Sequence, residues 1–216
     1  MKIEIGESLL YSWLRHVKGC QVVQTNWKPS LLWKLQREEE LERFIKIADN
    51  YFIDKYGYGI DRHNYLPLFL KQAEIDALGI SINGNGLDIY AVDISYHEGG
   101  LNYGGRQRTV MRVIKRFVRA TICLIGYFGT TKGELIFASP KIYKAVINDL
   151  EAYTHDLNTL FQENNYNFTA RIVANDDFNE LMLSTVAASD GSSDTSELFI
   201  QGYQLAKMFE ENDEEE

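Results

Sequence analysis

Cysteine and proline are scarce in this chain: its 216 residues include two cysteines and three prolines. Cys20 and Cys123 stand far apart and form no metal-type or redox-type spacing, so both read as buried thiols. Long uncharged apolar runs are absent as well, which excludes a transmembrane helix and a membrane partner. The first residues, MKIEIGESLLYSWLRHVKG, carry acids early and lack the layout of a signal peptide, so a cytoplasmic location is expected. Acids are also missing from one long stretch. Between residues 99 and 133 there is no Asp or Glu, although the formal net charge of the chain is −9. That stretch holds Arg106, Arg108, Arg112, Lys115, Arg116, Arg119 and Lys132. Much of the negative excess sits in the tail 210–216, which reads as a disordered, solvated end. Local charge governs binding more than the sum does, so the net charge does not exclude a polyanionic partner.

What is present is ordinary for a globular chain. Hydrophobic residues make up 45% and charged residues 25%, enough for one domain with a substantial core. Apolar residues at helical spacing predict a first helix over 8–18, with Glu7 at its start and Gly19 at its end. Glu7 there is either a first-turn acid that favours the helix dipole or a functional group. A β-rich stretch predicts a strand over 20–26. A charged amphipathic helix over 37–56 and a short helical piece over 61–70 follow. They read as an insertion that contributes packing.

The centre of the chain is 72–98, which reads as two strands joined by the turn Asn83-Gly84-Asn85-Gly86. Side chains in a strand alternate sides, so Glu74 and Asp76 share a face of the first arm. Asp93, Ser95 and His97 share one on the second. A hairpin that brings Asp76 beside Asp93 makes a dense negative site. Two close carboxylates do not both stay ionised without cost, and a divalent cation such as Mg²⁺ relieves that repulsion through carboxylate oxygens. The loop 99–105 then carries four glycines but neither the Walker spacing nor a dinucleotide fingerprint.

Residues 106–128 predict one long helix. Val110, Val113, Ile114, Phe117, Val118, Thr121 and Ile122 form a core-facing stripe. Arg108, Arg112, Lys115 and Arg119 recur in steps of four, three and four, lining another face without acids. With Arg106 at the start, this face is a candidate for phosphate-backbone contact. Beyond it a strand is expected over 134–138, a helix over 141–164, a strand over 168–174 and a helix over 176–188. Asp194 and Glu197 form a capping pair for a final helix that ends near residue 211.

This order resembles the αβββαβ core of the PD-(D/E)XK nuclease superfamily, the restriction-endonuclease-like fold. The resemblance covers roughly the first two-thirds of the chain. It implies an α/β fold with a mixed central sheet, inserted helices after the first strand, and an extra C-terminal strand and helices. The single nuclease-like domain spans 1–209, with the insertion at about 28–70. Members resembling Holliday-junction resolvases carry an acid on the first helix, one on the second strand, and one followed by x-Lys on the third. Glu7, Asp76 and Asp93 match those acids, and the resemblance implies that they hold Mg²⁺ or Mn²⁺. Ile75 stands where proline is common, and Ser95 stands where the lysine belongs. In the superfamily that lysine sometimes moves to a neighbouring helix, which makes Lys115 its candidate replacement. His97 is a second candidate for proton handling.

The implied activity is hydrolysis of phosphodiester bonds in DNA or RNA. The implied partner is nucleic acid, with DNA first, and a homodimer is compatible with the resemblance. Two other readings stay open. One is an inactive nuclease-like domain that binds nucleic acid or a protein. The other is an α/β protein without a polyanionic partner, whose acids are solvated strand-end residues.

Overall fold

A computed structural model describes residues 5–30, 32–60, 66–84, 86–189 and 197–213. Its elements in chain order are α1 (Ile5–Ser12), β1 (Val22–Trp27), α2 (Glu38–Tyr56), α3 (Leu66–Lys71), β2 (Ile75–Asn83) and β3 (Gly86–Ile94). Then come α4 (Arg106–Phe128), β4 (Lys132–Ser139), α5 (Lys144–Glu163), β5 (Asn167–Ala174), α6 (Asp176–Phe178), α7 (Ser184–Ala187) and α8 (Leu198–Asp213). The five strands form one sheet in chain order. Pairs β1/β2 and β2/β3 are antiparallel, and pairs β3/β4 and β4/β5 are parallel. The protein is therefore α/β with a mixed open sheet.

Alternation along the strands divides the core between the two faces of the sheet. Leu135 and Phe137 of β4 join the larger core with α2, α4 and α5, whereas Ile136 and Ala138 join the smaller one with α1 and α7. The 23 residues of α4 place Val110, Val113, Ile114, Phe117 and Val118 in the larger core, as their spacing requires. Gly129, at φ 67°, ends α4 with its N–H bonded to the Ile125 carbonyl. Cys20 and Cys123 are free and buried, as expected.

Several boundaries differ from the sequence expectation. The first helix begins at Ile5 and widens into a π turn over Trp13–Val17, where the Trp13 indole N–H donates to the Leu181 carbonyl at 2.8 Å. The expected 176–188 helix is likewise interrupted by a π turn at Asn179–Leu183. Helix α5 starts at Lys144, because the three residues before it are held extended: Leu101 N–H donates to the Lys141 carbonyl, and Ile142 N–H donates to Asn175 Oδ1. Strand β3 stops at Ile94, short of His97. Helix α8 runs to Asp213 and so takes in 210–213 of the expected acidic tail; Asp194 and Asn85 lie outside the described residues.

Gly133 marks the tightest close approach between strands. A Cβ there would lie 2.9 Å from the Ile89 carbonyl oxygen, a backbone atom that cannot turn aside. Gly133→Ala is expected to cost roughly 1–3 kcal/mol, the usual range for overpacking. A thermal melt should show this as a midpoint several degrees lower; an unchanged midpoint would mean that β3 and β4 separate freely at this point.

Candidate functional site

The register puts Ala77 opposite Val92, so the next pair along is Asp76 opposite Asp93, and cross-strand partners share a face. That face is the one covered by α4. The carboxylates bond crosswise to the two strands: Ile94 N–H donates to Asp76 Oδ2 at 2.8 Å, and Asp76 N–H donates to Asp93 Oδ1 at 3.3 Å. The expected convergence of these two acids is present.

A guanidinium stands over the pair. Arg116 Nη1 lies 3.4 Å from Asp76 Oδ2 and 3.8 Å from Asp93 Oδ1. The Asp93 side chain is only 7% exposed and that of Asp76 17%, whereas Arg116 is 34% exposed. Burial, then the neighbouring Asp76 carboxylate, pushes the Asp93 pKa up to about 7 against the pull of Arg116. Burial raises that of Asp76 too, while the Ile94 N–H and Arg116 oppose the rise. Two buried acids held this close favour a bound cation or proton over a pair of bare charges.

Glu7 reaches the same place from α1, on the opposite side of the sheet. A cavity of about 310 Å³ at the strand ends is lined by Ile5, Gly6, Glu7, Asp76, Ile94, Tyr96 and Arg116. Glu7 Oε2 accepts a 2.6 Å bond from the Asn26 side-chain amide, and Asn26 sits on β1 with a positive φ of 53°. Carboxylate oxygen suits a hard cation, and two acids, Glu7 and Asp76, border this cavity; Asp93 is not among its described lining residues. Among the described residues no three His, Cys, Asp or Glu side chains gather into a complete ligand set. Arg116 occupies the space between the aspartates, and Asn26 engages Glu7.

The remaining expected residues divide in two. Arg108, Arg112, Lys115 and Arg119 line a cleft of about 600 Å³ together with Arg116, Tyr58, Gly59, Ile60, Gln72, Tyr103 and Met111. No carboxylate is among these described lining residues. Within the cleft, Arg112 stacks over the Tyr103 ring at 5.1 Å, and Lys115 and Arg119 each lie 5.2 Å from the Phe69 ring. Arg119 also donates to Gln72. Arg106 points elsewhere, forming a two-pronged pair with Asp149 of α5 at 2.5 Å.

Ser95 and His97 lie past the end of β3 at Ile94. Ser95 is buried; its N–H donates to the Ala138 carbonyl, and its hydroxyl accepts a 2.7 Å bond from the hydroxyl of Tyr103, which lines the cleft with Arg116. His97 is exposed beyond the strand end, with its ring edge-on to Tyr103 at 5.7 Å. The cation within reach of both carboxylates is Arg116, one residue on from the expected Lys115.

Sequence reading passed over Arg116, Tyr103 and Asn26. Arg116 had a signal, since it lies four residues after Arg112 and three before Arg119. It fell outside the 4-3-4 ladder because a helix face is wider than one row. Tyr103 sits in a glycine loop with no periodicity, and Asn26 depends on a local backbone turn. Comparisons with protein-family models, with curated proteins and with solved structures find no match.

Proposed function

We propose that this chain is a metal-dependent nuclease with a restriction-endonuclease-like core, which holds a nucleic-acid backbone in the α4 cleft and hydrolyses a phosphodiester at the Asp76–Asp93 pair. The observation that carries this reading is the junction at Arg116. One side chain lines both the cleft with five cationic residues and the cavity with Glu7 and Asp76. The element sequence α1, β1, β2, β3, α4, β4 supports it, since it has the αβββαβ order of that core.

In this reading Asp76 and Asp93 hold Mg²⁺ or Mn²⁺, with Glu7 across the cavity. When bound there, such an ion would supply an activated water and offset charge on the scissile phosphate. Arg108 and Arg112 bind backbone phosphates without reading sequence. Arg116 moves its charge from the aspartates to the phosphate oxygens, so that it stabilises charge as it develops there. Tyr103, through its bond to Ser95, fixes the chain just after Asp93.

A second reading has its own support. Arg116 already neutralises the aspartates, and Ser95, standing where a lysine is expected, is tied to Tyr103. A domain built this way binds nucleic acid without cutting it. Incubating plasmid, single-stranded DNA and RNA with the protein and Mg²⁺ or Mn²⁺ separates the two. Cleavage that needs the metal and disappears in Asp76→Ala supports the nuclease. Salt-sensitive binding without any cleavage supports the second reading, and cleavage that survives Asp76→Ala marks a contaminant.

A further inference from the structure

Resting on the polyanion reading above, we infer that the nucleic acid is single-stranded, with unpaired bases stacked on Tyr58 and Tyr96 to either side of a phosphate held at Arg116. Tyr58 borders the basic cleft and Tyr96 borders the acidic cavity, and the two spaces meet at Arg116. The two rings are 53% and 62% exposed. Single exposed aromatics are common, but each of this pair lines one of the two spaces that share Arg116. Tyr143, comparably exposed, has its hydroxyl bonded to the Gly99 carbonyl. Exposed aromatic faces beside a cationic groove are the way proteins hold unpaired bases, because every base has a π face.

Depth and size favour the same substrate. The Asp76 and Asp93 side chains are less exposed than Arg116, so a phosphate has to reach inward to meet them. A flexible single strand can bend a phosphate inward, whereas a duplex keeps its backbone on a stiff cylinder. A space of about 600 Å³ is the size of a small-ligand pocket, enough for a nucleotide or two.

Fluorescence anisotropy with the full chain in EDTA tests this without cleavage. The probes are a labelled thymidine strand of about 12 nucleotides, within the usual range of site sizes, and a duplex of the same length. The strand is expected to bind about tenfold tighter or more, and Tyr58→Ala and Tyr96→Ala should each weaken it by about five- to a hundredfold. Tyr58→Phe and Tyr96→Phe should bind as the parent does. Both alanine variants should keep the parent's weaker duplex binding, which shows that they fold. Equal or tighter duplex binding, or alanine variants that hold the strand as well as the parent, would overturn the single-strand inference while leaving the phosphate cleft standing. If neither polymer binds at low salt, the proposed function fails and the inference goes with it.

Discussion

Arg116→Ala is expected to lower stability by about 3 kcal/mol at pH 8 and by much less at pH 5. The substitution removes the only cation that the described structure places within 4 Å of both Asp76 and Asp93. Breaking a buried pair from one side leaves an unpaired charge, which costs more than the pair contributes. One-third exposure of Arg116 holds the effect to the low end of that range. The pH dependence follows from Asp93. Its pKa in the folded chain is raised from 3.8 to about 7, so the folded state binds this proton more tightly than the unfolded chain does. The stabilising contribution of that proton is complete below the unfolded value and is lost as pH rises through about 7. At pH 5 the Arg116→Ala protein therefore keeps Asp93 protonated and avoids the Asp93 share of the penalty. Thermal melts at both pH values should differ from the parent by roughly 6–12 °C at pH 8, at 2–4 °C per kcal/mol. Adding Asp93→Asn should restore most of the loss, because the amide oxygen still accepts the Asp76 N–H. An equal loss at both pH values, with no rescue, would point instead to the packing of Arg116 over the Phe137 ring.

Asp76→Ala and Asp93→Ala are each expected to reduce metal-dependent cleavage by at least about 100-fold. Loss of a mere partner of a metal ligand costs 10–100-fold, so loss of a ligand carboxylate should cost no less. Binding should respond in the opposite direction. Each substitution removes a negative charge near the phosphate path, so affinity in EDTA should hold or rise. A second readout is independent of turnover: Mn²⁺ should raise the melting midpoint of the parent at pH 8, above the Asp93 pKa of about 7. The Asp76→Asn/Asp93→Asn protein should show no such rise. Cleavage retained in both alanine variants would remove the aspartates from the chemistry.

The strands and long helices were legible because their patterns are periodic and their ends carry glycine. The Asn-Gly turn and the strict alternation fixed the hairpin register, and with it the meeting of Asp76 and Asp93. The basic stripe of α4 was equally plain, since acids are missing from the whole segment. Illegible were the features that depend on where an element stops. Alternation carried past Ile94 extends the strand to His97, but β3 ends at Ile94, Ser95 bonds to Tyr103, and His97 is exposed. The family resemblance points to Lys115 as the cation beside the acids, whereas Arg116 is the residue that lies within 4 Å of both. The pairing of Arg106 with Asp149 joins two residues 43 apart in sequence, and no local pattern announces it.

The most direct test of the phosphate cleft is the salt dependence of oligonucleotide binding. For a strand bound through Arg108, Arg112 and their neighbours, log K should fall steeply and linearly with log salt. The Arg108→Ala/Arg112→Ala protein should show a slope shallower by about 1.5 to 2, as expected for two lost phosphate contacts. A slope near zero in the parent, or the same slope in both proteins, would contradict the account.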